Sequence, residues 1–321
     1  MTSPLPTLGI VFPGQGSQAT GMGVDVARTF PAARECFDRA SAVVGFDVLR
    51  LCETGSEDEL RETRVSQPAI FTTNVAIYRA VESLGYQPLV SAGHSFGEYC
   101  SLTIAGAIAF DRAVDLVNRR GLAMGEAADL APGAMAAIIG FSQAQVEDVC
   151  RKARAQTHQR VDLANLNAPA QIVVSGDRAA VEQACDVARS DGAKRVVVLN
   201  VSGAWHSELM EPAMRSFASS VEAAPIGPPR FSVVSNVDVA VYESVEQIRR
   251  CLIASLCSRV RWHETALVLA AMSPDIIVEC GATRVLAPMM ARLPGVDAAR
   301  VVHVADAAGI AKLAAAADFA A

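Results

Sequence analysis

Residues 88–109 restrict the fold more than any other stretch of the chain. Pro88 to Ala92 is a short apolar run, Gly93-His94-Ser95-Phe96-Gly97 follows directly, and Ser101 to Ala109 is apolar again. A strand that bends sharply into a helix needs small residues at the bend, because only there can the two backbones pass close together. The five residues fit G-x-S-x-G, the nucleophile elbow that lifts a serine hydroxyl from the edge of a parallel sheet. Alone, the pattern also fits a glycine-flanked turn with a capping serine. Its place between a predicted strand and a predicted helix is the context that gives the motif meaning.

The rest of the chain reads as the same architecture. Leu8 to Phe12 is a second buried strand, halted at Pro13-Gly14. A helix is expected after Gly23, and Ile70 to Leu84 repeats apolar residues at helical spacing up to Gly85. Asp111 is placed to cap an amphipathic helix over Arg112 to Ala128. This alternation predicts α/β with a parallel sheet. From residue 133 the order changes to strand Ala134–Ile139, helix Ser142–Ala155, strands Val161–Asn165 and Gln171–Ser175, helix Arg178–Ser190 and strand Arg195–Leu199. That βαββαβ order is the ferredoxin-like unit. Glu208 to Ala224 is then helical, and the strands Phe231–Ser235 and Asp275–Glu279 should rejoin the first sheet. The tail from Ala305 is an Ala-rich helix or a frayed end. The expected fold is an α/β-hydrolase-like parallel-sheet core, residues 1–131 and 202–321, with an inserted ferredoxin-like subdomain, residues 132–201.

Composition narrows the function. The 28 basic and 34 acidic side chains leave a net charge of −6, which argues against nucleic acid as a partner. Hydrophobic residues make up 51% of the chain, enough for a large core, yet no run reaches the roughly 18 apolar residues of a membrane span. The eight cysteines are scattered in apolar contexts without CxxC pairs or a histidine at ligand spacing, so buried thiols are expected and no metal site. Met1 to Leu8 lacks the basic start of a signal peptide, and a cytoplasmic monomer is expected.

A serine hydroxyl becomes a useful nucleophile only when a positioned base takes its proton. His206 is the best placed of the five histidines, in the small-residue turn Ser202-Gly203-Ala204-Trp205-His206-Ser207 between a strand and a helix. His94 lies inside the elbow and reads as structural. No carboxylate follows His206 at the spacing of an ordinary hydrolase, which points to a Ser–His dyad.

Six segments, in order along nearly the whole chain, resemble the malonyl-CoA:acyl-carrier-protein transacylases and the related acyltransferase domains of polyketide synthases. Phe12-Pro13-Gly14-Gln15-Gly16-Ser17-Gln18 is similar to the family's N-terminal loop, Ser66-Gln67-Pro68-Ala69-Ile70 to its T-Q-P-A-I segment, and Ala92 to Tyr99 to A-G-H-S-x-G-E-Y. Val117 to Met124 is similar to V-x-x-R-G-x-x-M, Asn165 to Gly176 to N-x-N…Q-V-V-x-S-G, and Gly203 to His206 to G-A-F-H. The resemblance implies that Ser95 carries the acyl group, that His206 moves the proton, and that the backbone N–H groups of Gln15 and Phe96 form the oxyanion hole. It makes Arg120 the partner of a malonyl carboxylate, leaves Arg119 facing solvent or tied to a helix partner, and puts Gln67, Trp205, Asn165 and Asn167 around the substrate. It implies malonyl-CoA and an acyl carrier protein as partners, coenzyme A thioester and phosphopantetheine as substrate groups, and no bound cofactor. It also implies that His206 is oriented by a main-chain carbonyl at Ser255.

Several residues depart from the family pattern. Phe96 stands where Leu, Val or Ile is commoner, Ser255 where the family often has Gln, Arg259 where it has Pro, and Ala282 where it has Pro. Trp205 replaces Phe, and its larger ring leaves less room for a branched acyl group, which favours malonyl. Docking of an acidic carrier protein would require a local basic patch, for which Arg195, Arg259, Arg261 and Arg284 are candidates. Two other enzymatic readings remain open from sequence: a discrete hydrolase that clears carrier proteins, and a transacylase for an unusual acyl group. A non-catalytic carrier-binding scaffold is disfavoured by the intact Ser95, His206, Gln15 and Arg120.

Overall fold

The computed structural model describes residues 5–318. Its larger sheet contains five parallel strands in the order β7-β2-β1-β8-β9, with β1 Leu8–Phe12, β2 Pro88–Gly93, β7 Ser232–Val234, β8 Ile276–Cys280 and β9 Val301–Val304. β1 is apolar throughout because helices cover both faces of this sheet. Leu8, Ile10 and Phe12 point into one core with Phe71, Tyr78 and Phe96, while Val11 enters another with Val90, Val234 and Trp262.

The smaller sheet is antiparallel, in the order β4-β5-β3-β6, with β3 Gly133–Ile139, β4 Val161–Ala168, β5 Gln171–Asp177 and β6 Arg195–Val198. Together with the helices Gln143–Thr157 and Arg178–Ser190 it forms the expected βαββαβ unit, which has a hydrophobic cluster of its own. Ser142 and Gln145 close a capping box at the start of its first helix. The smaller sheet is joined by backbone to the segment before the helix Trp262–Ala271: Leu166 N–H donates to Val260 O and Val260 N–H to Ala164 O, both at 2.8 Å.

The long helix expected from Ile70 begins earlier, at Thr63, and runs to Glu82 with Pro68 inside it. That extension brings Thr63 and Gln67 onto the same buried helix. The expected cap at Asp111 is not made. The helix Phe110–Leu130 starts from Ala109 without a side-chain cap, and Asp111 lies in its first turn. There the carboxylate faces the positive end of the helix dipole and binds Arg39 at 2.9 Å, so its role is electrostatic. All eight cysteines are free thiols, seven buried and Cys257 half-buried. Among the described residues no helix is long and apolar enough to cross a membrane.

The Thr63–Glu82 and Phe110–Leu130 helices pack closely at Gly121. A Cβ there would lie 2.7 Å from the backbone oxygen of Thr63 and 3.6 Å from Cβ of Gln67. A neighbouring backbone cannot yield as a flexible side chain can. Gly121→Val is therefore expected to cost about 2 kcal/mol or more through overpacking. Urea unfolding checks this: the midpoint should fall while the slope is unchanged.

Candidate active site

Ser95 follows β2 in the left-handed region, at φ 54°. Two glycines make that bend possible. A Cβ on Gly93 would sit 1.9 Å from the carbonyl carbon of Gly97, and one on Gly97 would sit 2.5 Å from the backbone oxygen of Phe12. The bend is tied down by Asn236, just beyond β7, whose Oδ1 accepts the Ser95 N–H at 2.8 Å. Asn236 in turn donates its own backbone N–H to the carboxylate of Glu98, which also accepts from the Tyr242 hydroxyl. Glu98 is 1% exposed, and burial raises its carboxyl to about 7 against the pull of these donors and of Arg120.

His206 reaches Ser95 from the segment that follows the small sheet. Its Nε2 lies 2.7 Å from Ser95 Oγ, and its Nδ1 lies 2.8 Å from Ser255 O and 3.1 Å from Ser258 O. Two carbonyl acceptors require the proton on Nδ1, leaving the Nε2 lone pair for the serine hydroxyl. Burial, followed by the positive charges of Arg120 and His94, pushes this imidazole down to about 3, while the two carbonyls act in the other direction. The ring is thus neutral and able to accept a proton.

Gln15 lies in the loop after β1. Asn74 Nδ2 donates to Pro13 O at 3.0 Å, Ser17 Oγ to Gly14 O at 2.7 Å, and Thr283 Oγ1 to Ser17 O at 3.0 Å, which together fix the loop's path. Phe96 stands at the N-terminal end of the helix Gly97–Ile104. Among the described residues, neither the Gln15 nor the Phe96 backbone N–H has a hydrogen-bond partner. Free amides at a helix N-terminus and in a braced loop are suited to a developing negative charge.

Arg120 is 1% exposed, yet only part of its guanidinium is satisfied. Nη1 donates to Gln67 Oε1 at 2.9 Å, whereas Nε and Nη2 are buried with no partner among the described residues. Those two nitrogens form one edge of the planar group, the edge that accepts a carboxylate in bidentate fashion. Arg119 beside it is exposed and bound to Asp115 at 2.9 Å. A cavity of about 80 Å³ brings together Ser95, His206, Arg120, Gln15, Phe96, Trp205 and Asn165. Gln67 and Asn167, expected around the substrate, stand one layer back: Gln67 holds Arg120, and Asn167 Oδ1 lies 2.9 Å from His94 Nε2. Sequence reasoning missed Asn236, Glu98 and Ser258, none of which carries a local signal of its own beyond the Glu of the elbow segment. Outside the cavity a groove of about 870 Å³ runs past His206, Ser258, Arg259 and Arg261. Arg195 and Arg284 do not line it.

The chain matches the acyl transferase domain family over residues 10–310. It is 39% identical to the malonyl CoA-acyl carrier protein transacylase of Haemophilus influenzae over 288 residues, covering 89% of this chain and 92% of that protein. The Bacillus subtilis protein of the same name is 38% identical over 286 residues, covering 89% of this chain and 90% of its own. The transacylase structure from Coxiella burnetii superposes with a TM-score of 0.91 at 36% identity, over 97% of this chain and 98% of that one. A malonyl-transacylase solved in complex with its type II polyketide acyl-carrier protein gives 0.90 at 38% identity, over 97% and 99%.

Glu98 yields a test of the elbow's support. Its folded value lies above that of the unfolded chain, so its protonated form stabilises the fold fully below about 4.5 and that contribution is lost as pH rises through about 7. The stability difference between the native protein and Glu98→Gln should therefore shift in favour of the variant between pH 5 and 8, by an amount on the order of 2 kcal/mol. Denaturant titrations of both proteins across that range measure it, and parallel curves would contradict the assignment.

Proposed function

This chain belongs to the acyl transferase domain family, and from that premise we propose that it moves a malonyl group from malonyl-CoA to the phosphopantetheine thiol of an acyl carrier protein by way of an ester on Ser95. The unpaired edge of the Arg120 guanidinium carries this reading. A buried cation with two idle donors is costly, and the free carboxylate of a malonyl group satisfies both at once. An acetyl or fatty acyl group would leave them unpaired.

Ser95 Oγ attacks the thioester carbonyl while His206 Nε2 takes the hydroxyl proton. The carbonyl oxygen gathers negative charge against the N–H groups of Gln15 and Phe96. As the tetrahedral centre collapses, the C–S bond breaks and His206 returns the proton to the departing coenzyme A sulfur. The second half runs in reverse with the carrier's thiol: His206 takes the thiol proton, the carrier's sulfur attacks the ester carbonyl, the acyl carbon–Oγ bond breaks, and His206 returns the proton to the departing Ser95 Oγ. The groove past His206 provides an approach for a pantetheine arm, with Arg259 and Arg261 at its edge. A Ser–His dyad is sufficient for these steps, because the carbonyls of Ser255 and Ser258 fix the tautomer that a third carboxylate would otherwise fix. Coenzyme A thioester is the donor, and no resident cofactor enters any of them. Hydrolysis of the same ester is disfavoured as the main activity, since a carboxylate held on Arg120 keeps the acyl group in a narrow cavity with little room for water.

Intact-protein mass spectrometry tests this directly. Malonyl-CoA should add one malonyl group to the native protein, and the adduct should move to a holo carrier protein faster than it is lost to water. Ser95→Ala should show no adduct. Arg120→Ala should lose malonyl acylation by about 30-fold or more relative to acetyl acylation, as expected for truncating a desolvated charge pair. Equal losses for the two acyl groups would remove Arg120 from substrate selection.

A further inference from the structure

Behind the cavity a line of hydrogen bonds joins Arg120 to Gln15 through two residues of the Thr63–Glu82 helix. Arg120 Nη1 donates to Gln67 Oε1 at 2.9 Å, Gln67 Nε2 donates to Thr63 Oγ1 at 3.1 Å, and Thr63 Oγ1 donates to Gln15 Oε1 at 3.3 Å. The polarity is dictated from one end. Arginine can only donate, so the Gln67 carbonyl faces it and the Gln67 amide nitrogen must donate onward. The hydroxyl of Thr63 accepts that bond and passes its proton toward Gln15. Thr63 and Gln67 are fully buried, and the close approach at Gly121 sets their distance from Arg120. Both ends of the line reach the cavity, and both end in buried nitrogens with no partner among the described residues: Arg120 Nε and Nη2 at one, Gln15 Nε2 at the other.

We propose that Thr63 is a positioning residue that couples recognition of the acyl carboxylate at Arg120 to the setting of the Gln15 loop, so that a carboxylated acyl group aligns both ends of the cavity and a neutral one does not. The proposal rests on the roles given above to Arg120 and Gln15. A carboxylate across Nε and Nη2 fixes the guanidinium in its plane. That fixes the Gln67 amide, the Thr63 hydroxyl and, through them, the side chain of the residue whose backbone N–H faces the reacting carbonyl. Without a carboxylate the guanidinium can tilt, and the constraint is not passed on. Hydrogen bonds of one polarity are suited to this: the two that join Arg120, Gln67 and Thr63 lie in the interior, where leaving a partner unmet is costly, and the part-buried bond to Gln15 carries the constraint to the loop.

The experiment compares single-turnover acylation of Ser95 by saturating malonyl-CoA and acetyl-CoA in the native protein, Thr63→Val, Thr63→Ser, Arg120→Ala and the Thr63→Val/Arg120→Ala double variant. Valine keeps the shape and removes the hydroxyl; serine keeps the hydroxyl. Thr63→Val should slow malonyl acylation by about 10-fold while acetyl acylation changes by no more than about 2-fold, and Thr63→Ser should restore the malonyl rate. In the Arg120→Ala background Thr63→Val should add no further loss, which is the non-additivity of residues acting through one network. Equal losses for both acyl groups, additive losses, or no rescue by serine would overturn the relay. A native protein that takes up no malonyl group would instead overturn the functional reading beneath it, and the relay with it. If Thr63→Val does not fold, Thr63→Ala removes the same hydroxyl from the smaller side and must show the same malonyl-selective loss.

Discussion

The left-handed backbone of Ser95 is the constraint on which the site depends. A non-glycine residue at φ 54° costs free energy that its own contacts have to offset. Here the offset comes from three directions. The Gly93 and Gly97 positions let β2, the following helix and β1 pass within distances that any side chain would forbid. Asn236 accepts the Ser95 N–H, and Glu98 and Tyr242 hold Asn236 in place. His206, itself at φ 59°, meets the serine hydroxyl and is held by two carbonyls of the 255–258 turn. Ser95 is thus strained by the sheet and kept strained by elements from the other end of the chain.

Charge ties the two functional ends of the cavity together. Arg120 is buried, and its positive field is one reason the His206 imidazole binds a proton so weakly. A carboxylate on the open edge of the guanidinium brings a negative charge to the same place and removes that contribution. In the proposed mechanism His206 would then hold the serine proton more readily with a carboxylated substrate present than with the cavity empty. A single ion pair would serve both to orient the acyl group and to raise the basicity of the residue that activates the nucleophile.

Much of this was legible in the sequence, for reasons that differ by residue. The elbow could be read because strand, glycines and helix are contiguous, and the βαββαβ order because its elements are short, regular and well capped, as at Ser142. His206 could be read from its small-residue turn between a strand and a helix, whereas the Ser255 carbonyl followed from resemblance. Asn236 was not legible: it lies 141 residues from Ser95 and follows a strand of only three residues, and no local pattern links the two. β9 and the helix Trp262–Ala271 are not legible because short apolar segments fit a strand or a helix equally well, whereas Val245–Ala254 does carry a helical signal, with Ser244 as its cap and Ile248, Cys251 and Leu252 at helical spacing. Gln67 holds Arg120, and sequence cannot tell a residue that touches a ligand from one that holds the residue that does.

The kinds of selectivity available to such a cavity are unequal. In the proposed reading, the unpaired donors on Arg120 would penalise an acyl group that lacks a carboxylate by the cost of leaving buried polar groups unmet, which in hydrogen-bonding sites reaches factors of about 10⁴. Trp205 can oppose a branch only by crowding, and one methyl group in an apolar wall is worth about 1–3 kcal/mol. The indole is packed against Gly203, where even a Cβ would lie 2.6 Å from its ring, so it has little freedom to withdraw toward that side. On the proposed role of Arg120, discrimination between malonyl and acetyl would be set by hydrogen-bond chemistry and would survive small changes of shape. Discrimination between malonyl and its branched relatives depends on the fit of a single ring, and is where sequence drift within this architecture can most easily change the substrate.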